Sequence, residues 1–285
     1  MEKTNCPVCS DDNAVILFEK KGPHEEYFTL VRCRGCGLEY LNPRPLPEEM
    51  CRYYGEEYFT TRTDRGYDNY FSEATRNEVQ RVLALNLADL GFFSFEKDLP
   101  PAQRNSLDIG CASGYCVDYL AARGWDAAGI DISEPCVHVA RERGLNVTRG
   151  DYLAMSYPGG FSLITMWASI EHMHRPDSFI RKIAGDLAPG GMFMLSTCRA
   201  DRSGFRSLFG KDWRYYNFPE HLCFFSSGTI KKLLERNGLE VTAYRTYGSG
   251  VGEGATYKRR LADRAAKRFY LGDMMILAAR KKSAS

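Results

Sequence analysis

The sequence predicts an α/β protein: a Rossmann-like, mostly parallel sheet preceded by a small four-cysteine module. Three observations predict it. From residue 105 onward strand-like and helical runs alternate, which implies βαβ crossovers with helices on both faces of a sheet. A strand runs straight into the glycine turn LDIGCASG at residues 107–114. Two CxxC pairs, Cys6–Cys9 and Cys33–Cys36, fall within the first 36 residues.

The cysteine module comes first. Two CxxC pairs supply four thiolates to one tetrahedral zinc, and Gly35 and Gly37 permit the tight knuckles this needs. The 23 residues between the pairs, slightly more than the usual ribbon gap, fit a hairpin with short strands at 13–19 and 27–32. Four thiolates leave no open position, so the predicted zinc is structural. The prolines of NPRPLP, residues 42–47, oppose both helix and sheet ladder and mark a boundary. Residues 48–90 carry helical periodicity, and 92–104 read as a loop. Strands follow at 106–109, 126–131, 145–149, 161–167, 191–197, 239–247 and 273–280. Helical patterns cover about 114–123, 135–143, 177–187, 227–236 and 257–270. The predicted organisation is a zinc-ribbon module over 1–45, a helical lid or linker over 46–104 and the sheet domain over 105–285.

Composition narrows the function. The chain has 285 residues, 44% hydrophobic and 26% charged, values of an ordinary globular protein. The net charge of +2 argues against a nucleic-acid clamp. No apolar run approaches the roughly 18–20 residues of a membrane span, and the polar N-terminus has no signal-peptide core. A soluble, cytoplasmic protein is expected, and ten cysteines in that setting point to metal and buried thiols.

The glycine turn carries the chemistry. Gly110 lets backbone approach a ligand, and Gly114 permits close helix–strand packing. Asp131 ends the next strand, 23 residues after Asp108, where a carboxylate accepts hydrogen bonds from ribose hydroxyls. Asp151 follows the third strand, within reach of an adenine amine. Three acids at consecutive strand ends indicate an adenosine ligand without phosphate.

These motifs resemble class I S-adenosylmethionine-dependent methyltransferases. The resemblance rests on LDIGCASG, the acid at 131, Gly150-Asp151, ITMWASIEHMHRP at 164–176, APGGMFMLST at 188–197 and GDMMILAARK at 272–281. The N-terminal CPVC…CRGCGLEYLNPRP is similar to the zinc-ribbon extension of bacterial sugar and natural-product methyltransferases. Ala112 and Ser162 depart from the family's usual glycine and aspartate. The resemblance implies a seven-stranded sheet with an antiparallel last strand. It also implies S-adenosylmethionine as cofactor, held by Asp108, Gly110, Gly114, Asp131, Ile132, Asp151, Tyr152, Met166 and Trp167. Tyr152 or Ile132 would flank the adenine. Tyr53, Tyr54, Tyr58, Tyr67 and Tyr70 precede the sheet, where relatives place a lid.

Methyl transfer from a sulfonium needs alignment, exclusion of water and removal of the acceptor's proton. Two Glu-His pairs are candidates: Glu171-His172 and Glu220-His221. Pro-Glu-His-Leu at 219–222 is similar to the pair in zinc-ribbon sugar methyltransferases, which makes His221 the base and Glu220 its orienting partner; which pair acts stays open. Of the other histidines, His24 falls in the ribbon, His138 in a helical pattern and His174 beside His172. Trp213, Tyr215, Tyr216 and Phe218 either wall a pocket or pack in the core. The basic helix with Lys258, Arg259, Arg260, Arg264, Lys267 and Arg268 either attracts a phosphorylated substrate or is a solvated face. The expected activity is methyl transfer to a small hydroxylated molecule, such as a nucleotide-linked sugar, with O-methylation favoured. An RNA methyltransferase and a non-catalytic cofactor-binding scaffold are the rival readings.

Overall fold

The structure is a computed structural model that describes residues 1–54, 56–61, 69–201, 205–247 and 257–281. Tyr67, the glycine-rich stretch 248–256 and the side chains of Lys258, Arg259 and Arg260 lie outside the described residues.

The N-terminal hairpin pairs β1 (Ala14–Lys21) with β2 (Tyr27–Cys33), and β3 (Glu39–Leu41) adds antiparallel to β2. Phe28, Leu30 and Leu41 are buried beneath it. The helical segment holds α1 (Glu56–Thr60), α2 (Glu73–Asp89) and α3 (Phe92–Asp98). Ser72 caps α2, its hydroxyl accepting from Thr75 N at 3.2 Å. Helix α3 corrects the predicted loop at 92–104. Phe92 and Phe95 lie three apart, hence on one helical face, and both meet the Trp125 ring, at 5.6 and 6.4 Å between centroids. Glu96 accepts from Trp125 Nε1 at 2.8 Å and pairs with Arg123. That packing comes from residues some thirty positions away, so no local pattern announces it.

The large sheet is built in turn from β4 (Asn105–Ile109), α4 (Tyr115–Ala121), β5 (Asp126–Asp131), α5 (Glu134–Glu142), β6 (Val147–Arg149), β7 (Phe161–Trp167), α6 (Pro176–Asp186) and β8 (Leu187–Cys198). There follow α7 (Phe205–Phe209), β9 (Cys223–Phe224), α8 (Ser227–Arg236), β10 (Leu239–Tyr247), α9 (Tyr257–Phe269) and β11 (Met274–Lys281). The strand order is β10-β11-β8-β7-β4-β5-β6. Strands β4 to β8 run parallel, and β11 lies antiparallel between β8 and β10. Strands β7, β8 and β11 bury nearly continuous apolar runs, as strands covered on both faces must. The order reverses at β4: the chain steps out to β5 and β6, then returns to β7 on the other side. That reversal opens a crevice beyond the C-terminal ends of β4 and β7.

The cysteine sheet is continuous with the later chain. Strand β9 pairs antiparallel with β3, Tyr40 opposite Cys223, and forms the fourth strand of that sheet. Buried Arg206 donates to both oxygens of Glu39 at 2.7 and 2.6 Å, and Tyr216 Oη donates to the same carboxylate at 3.1 Å.

Candidate active site

The β4–α4 turn is shaped for close approach. Gly110 has φ 69°, and a Cβ there would stand 2.5 Å from Ser169 Oγ. Only glycine meets both conditions. Thr165 Oγ1 donates to buried Asp108 at 2.6 Å beneath the turn. Burial, reinforced by the charge of Asp131, pushes the Asp108 carboxyl up to about 7. Asp131 sits at the end of β5 and ties two loops together. Its Oδ2 accepts from Ala112 N and its Oδ1 from Ser133 N, each at 2.8 Å. Burial raises Asp131, and these two N–H groups oppose the rise. Each carboxylate oxygen has a further lone pair for a ligand hydroxyl.

The structure separates the two side chains expected to flank an adenine. Ile132 is 62% exposed beside Asp131. Tyr152 is 2% exposed; its ring packs on Tyr157 and Phe179 and its hydroxyl donates to Asp186 at 2.7 Å. The expectation for the Tyr152 ring is therefore corrected, because Asp186 draws it into the core. Exposed Asp151 caps the next turn, accepting from Leu153 N at 2.9 Å. Met166 is buried within β7, and Trp167 donates its Nε1 to Cys116 Sγ at 3.3 Å.

A cavity of about 260 Å³ opens at the C-terminal ends of β4 and β7. Gly110, Ala112 and Trp167 form its floor, and Tyr58, Phe59 and Tyr70 roof it from the helical segment. Arg214, Tyr215, Asn217 and His221 close the side formed by the chain before β9. Glu171 and His172 reach it from the turn after β7. Glu171, His172 and His221 of the two Glu-His pairs, alternatives in the sequence, thus converge on one cavity; the expected steering of His221 by Glu220 is corrected, because Glu220 is buried outside the lining, its backbone carbonyl meets His172, and Tyr215 O holds His221 Nδ1. Leu222 N donates to Glu171 O at 2.8 Å and joins their backbones. The His172 and His221 rings stand nearly perpendicular, 4.7 Å between centroids.

Both rings have Nδ1 turned to a backbone carbonyl. His172 Nδ1 lies 2.8 Å from Glu220 O, and His221 Nδ1 lies 2.8 Å from Tyr215 O. A carbonyl only accepts, so Nδ1 carries the hydrogen and the neutral ring has its lone pair on Nε2. Tyr54 Oη, 2.9 Å from His172 Nδ1, donates to Glu220 O at 3.2 Å and ties the arrangement to the chain before α1. Glu171 is 1% exposed and accepts from Thr197 Oγ1 at 2.9 Å. Burial pushes its carboxyl up to about 7 against that hydrogen bond.

The other candidates go elsewhere. Trp213, Tyr216 and Phe218 are buried, with Tyr216 and Phe218 packed on Phe18 and Phe224, so of that aromatic set only Tyr215 lines the cavity. Tyr53 turns to the ribbon, donating to Glu26 at 2.6 Å. His138 pairs with Glu142 on an exposed helix face, and His174 Nε2 meets Pro45 O at 3.0 Å. Sequence reasoning missed Phe59, Ser169, Arg214, Asn217 and Met274. For Ser169 alone there was a signal, its place between β7 and the first Glu-His pair.

The four ribbon cysteines meet at one point. Their sulfurs all lie within 4.8 Å of one another, with Cys6–Cys36 and Cys9–Cys33 each 3.5 Å apart. A tetrahedral zinc with bonds of about 2.3 Å has sulfur–sulfur edges of about 3.8 Å, so the quartet fits that ion. The Cys6 thiol, hydrogen-bonded to Cys36, draws the latter down to about 5 and so favours a thiolate.

A reversed parallel sheet with a glycine turn at its crevice and acids near its strand ends is the arrangement of a nucleotide-binding α/β fold. Residues 75–244, more than half of the chain, match the methyltransferase-domain family, and the chain belongs to that family. It is 34% identical over 128 residues to a ubiquinone biosynthesis O-methyltransferase of Methylococcus capsulatus, covering 42% of this chain and 53% of that one. A protein of the same name from Azoarcus is 35% identical over 104 residues, 34% of this chain and 45% of its own. The chain thus spans about half the length of these curated relatives. A SAM-dependent methyltransferase from Archaeoglobus fulgidus shares the fold, with TM-score 0.52 and 16% identity over 71% of this chain and 94% of that one. Among the described residues no helix is long and apolar enough to cross a membrane.

Proposed function

We propose that the protein transfers the S-adenosylmethionine methyl group to a hydroxyl of a small molecule seated between Trp167 and His221. The observation that carries this reading is the convergence of His172 and His221, both with Nδ1 anchored, on the cavity beside the Gly110 turn. The sulfonium is already activated, so the protein's work is alignment, exclusion of water and proton removal. His221 Nε2 takes the acceptor's proton. The Glu220 carbonyl and Tyr54 fix the neighbouring His172, which orients the hydroxyl. The relatives' O-methyltransferase names support oxygen as the acceptor atom. The aromatic walls suit the faces of a sugar or another ring compound. Asp131 and Ile132 hold the adenosine, with Asp108 supporting the turn from below.

Cys6, Cys9, Cys33 and Cys36 hold a structural zinc. Because β3 pairs with β9 two residues after His221, the zinc sheet braces the loop that carries the base. The test is mass spectrometry of products from full-length protein, S-adenosylmethionine and a panel of hydroxylated sugars, nucleotide sugars and phenols. An O-methylated product is the expected result. Methylation of RNA alone, or of nitrogen or carbon alone, would overturn the reading.

A further inference from the structure

We propose that Glu171, His172 and His221 form a second metal site, which captures a divalent cation of the zinc, cobalt or nickel kind in the acceptor cavity and thereby inhibits methyl transfer. One ligand atom from each of the three side chains lies within 4.8 Å of the others. Two imidazoles, which are borderline nitrogen donors, joined by a single carboxylate suit these ions better than calcium or magnesium, which take all-oxygen sites. A metal-bound histidine usually donates its other ring N–H to a carbonyl or carboxylate, which fixes the ring and its tautomer. Both rings here already have that support, from Glu220 O and Tyr215 O. Glu171 is a carboxylate withdrawn from water, and a cation beside it would offset the cost of that burial.

The site is largely preformed. Leu222 N–H to Glu171 O holds the two contributing segments together. Tetrahedral ligands about 2.0–2.1 Å from a zinc stand about 3.3 Å apart, so the three groups close by small side-chain rotations. Three protein ligands leave one position facing the cavity, open to water or to the acceptor.

The consequence for catalysis follows from electron-pair bookkeeping at one atom. The His221 Nε2 lone pair that receives the acceptor's proton is the same pair that would bind the metal. It cannot do both, and a cation in the cavity also opposes the approach of a sulfonium. Inhibition rests on the proposed role of His221; binding does not.

The experiment uses the full chain loaded with one equivalent of zinc, titrated with cobalt(II) chloride. One further equivalent should bind, with the weak visible bands of nitrogen and oxygen ligation and without thiolate-to-cobalt charge transfer. His172→Ala should lower that affinity more than about tenfold, since even supporting groups around a metal contribute that much. Glu171→Gln provides a second variant, and circular dichroism shows whether each is folded. Cobalt should also slow methylation in proportion to occupancy, reversibly on chelation. No second equivalent, or thiolate bands alone, would overturn the metal site and leave the methyl-transfer reading standing. Cobalt binding that does not slow turnover would overturn the inhibition and, with it, the role of His221 as base.

Discussion

Asp131→Ala should weaken both the cofactor complex and the cofactor-free protein. In the free protein the carboxylate accepts from Ala112 N and Ser133 N, one N–H for each oxygen. Hydrogen bonds to a charged group contribute roughly 1.5–3 kcal/mol each. Two effects reduce the sum: the donors are only half-buried, so water replaces part of what is lost, and Asp131 itself is held in a burial that raises its carboxyl. The net loss should be about 2–3 kcal/mol, which in a chain of 285 residues lowers the melting temperature by roughly 3–5 °C. S-adenosylhomocysteine affinity should fall a further tenfold to a hundredfold through the lost ribose contact, by the same range. Differential scanning calorimetry reads the first effect and titration calorimetry the second. Asp131→Asn keeps one acceptor and should fall between. An Asp131→Ala protein as stable as wild type would refute the bracing role, and unchanged affinity would remove the residue from the cofactor site.

Further outcomes follow from the same contacts. Burial holds the Asp108 carboxyl at about 7 in the fold, above its unfolded value, so its own contribution to stability is full at low pH and is lost as pH rises from about 4 through 7. Asp108→Asn should flatten that decline in urea unfolding. Breaking the buried Glu39–Arg206 pair with Arg206→Met should destabilise the fold by less than the roughly 3–5 kcal/mol of a fully broken buried pair, because the carboxylate keeps Arg32 and the Tyr216 hydroxyl. Equilibrium unfolding against wild type tests it. Cys33→Ser should reduce zinc content measured by elemental analysis, and should also lower turnover, since the ribbon sheet ends on β9 beside His221. Full zinc content in that variant would contradict the four-cysteine assignment.

Much of the sheet is legible in the sequence because its central strands are buried on both faces and read as unbroken apolar runs. The end of β4 is legible too, since a strand-like run gives way there to a glycine turn. What is not legible depends on distant partners. The FFSFEKD segment becomes α3 only through Trp125. Strand β9 has two residues and exists because β3 lies alongside, far away in the chain. The direction of the Tyr152 ring is decided by Asp186, not by the residues around it. Likewise the two Glu-His pairs carry similar local signals, and contacts between distant segments, Leu222 N to Glu171 O and His172 Nδ1 to Glu220 O among them, bring them together.

The most direct test of the account is single-turnover methylation by His221→Gln once the product screen has identified an acceptor hydroxyl. A positioned imidazole base contributes on the order of 10²–10⁴ in rate. The variant should therefore slow transfer by that amount while S-adenosylhomocysteine affinity stays near wild type, because the proposed adenosine contacts are on the β4 and β5 loops. A His221→Gln protein whose rate stays within about threefold of wild type, far below the general-base range, would contradict the account.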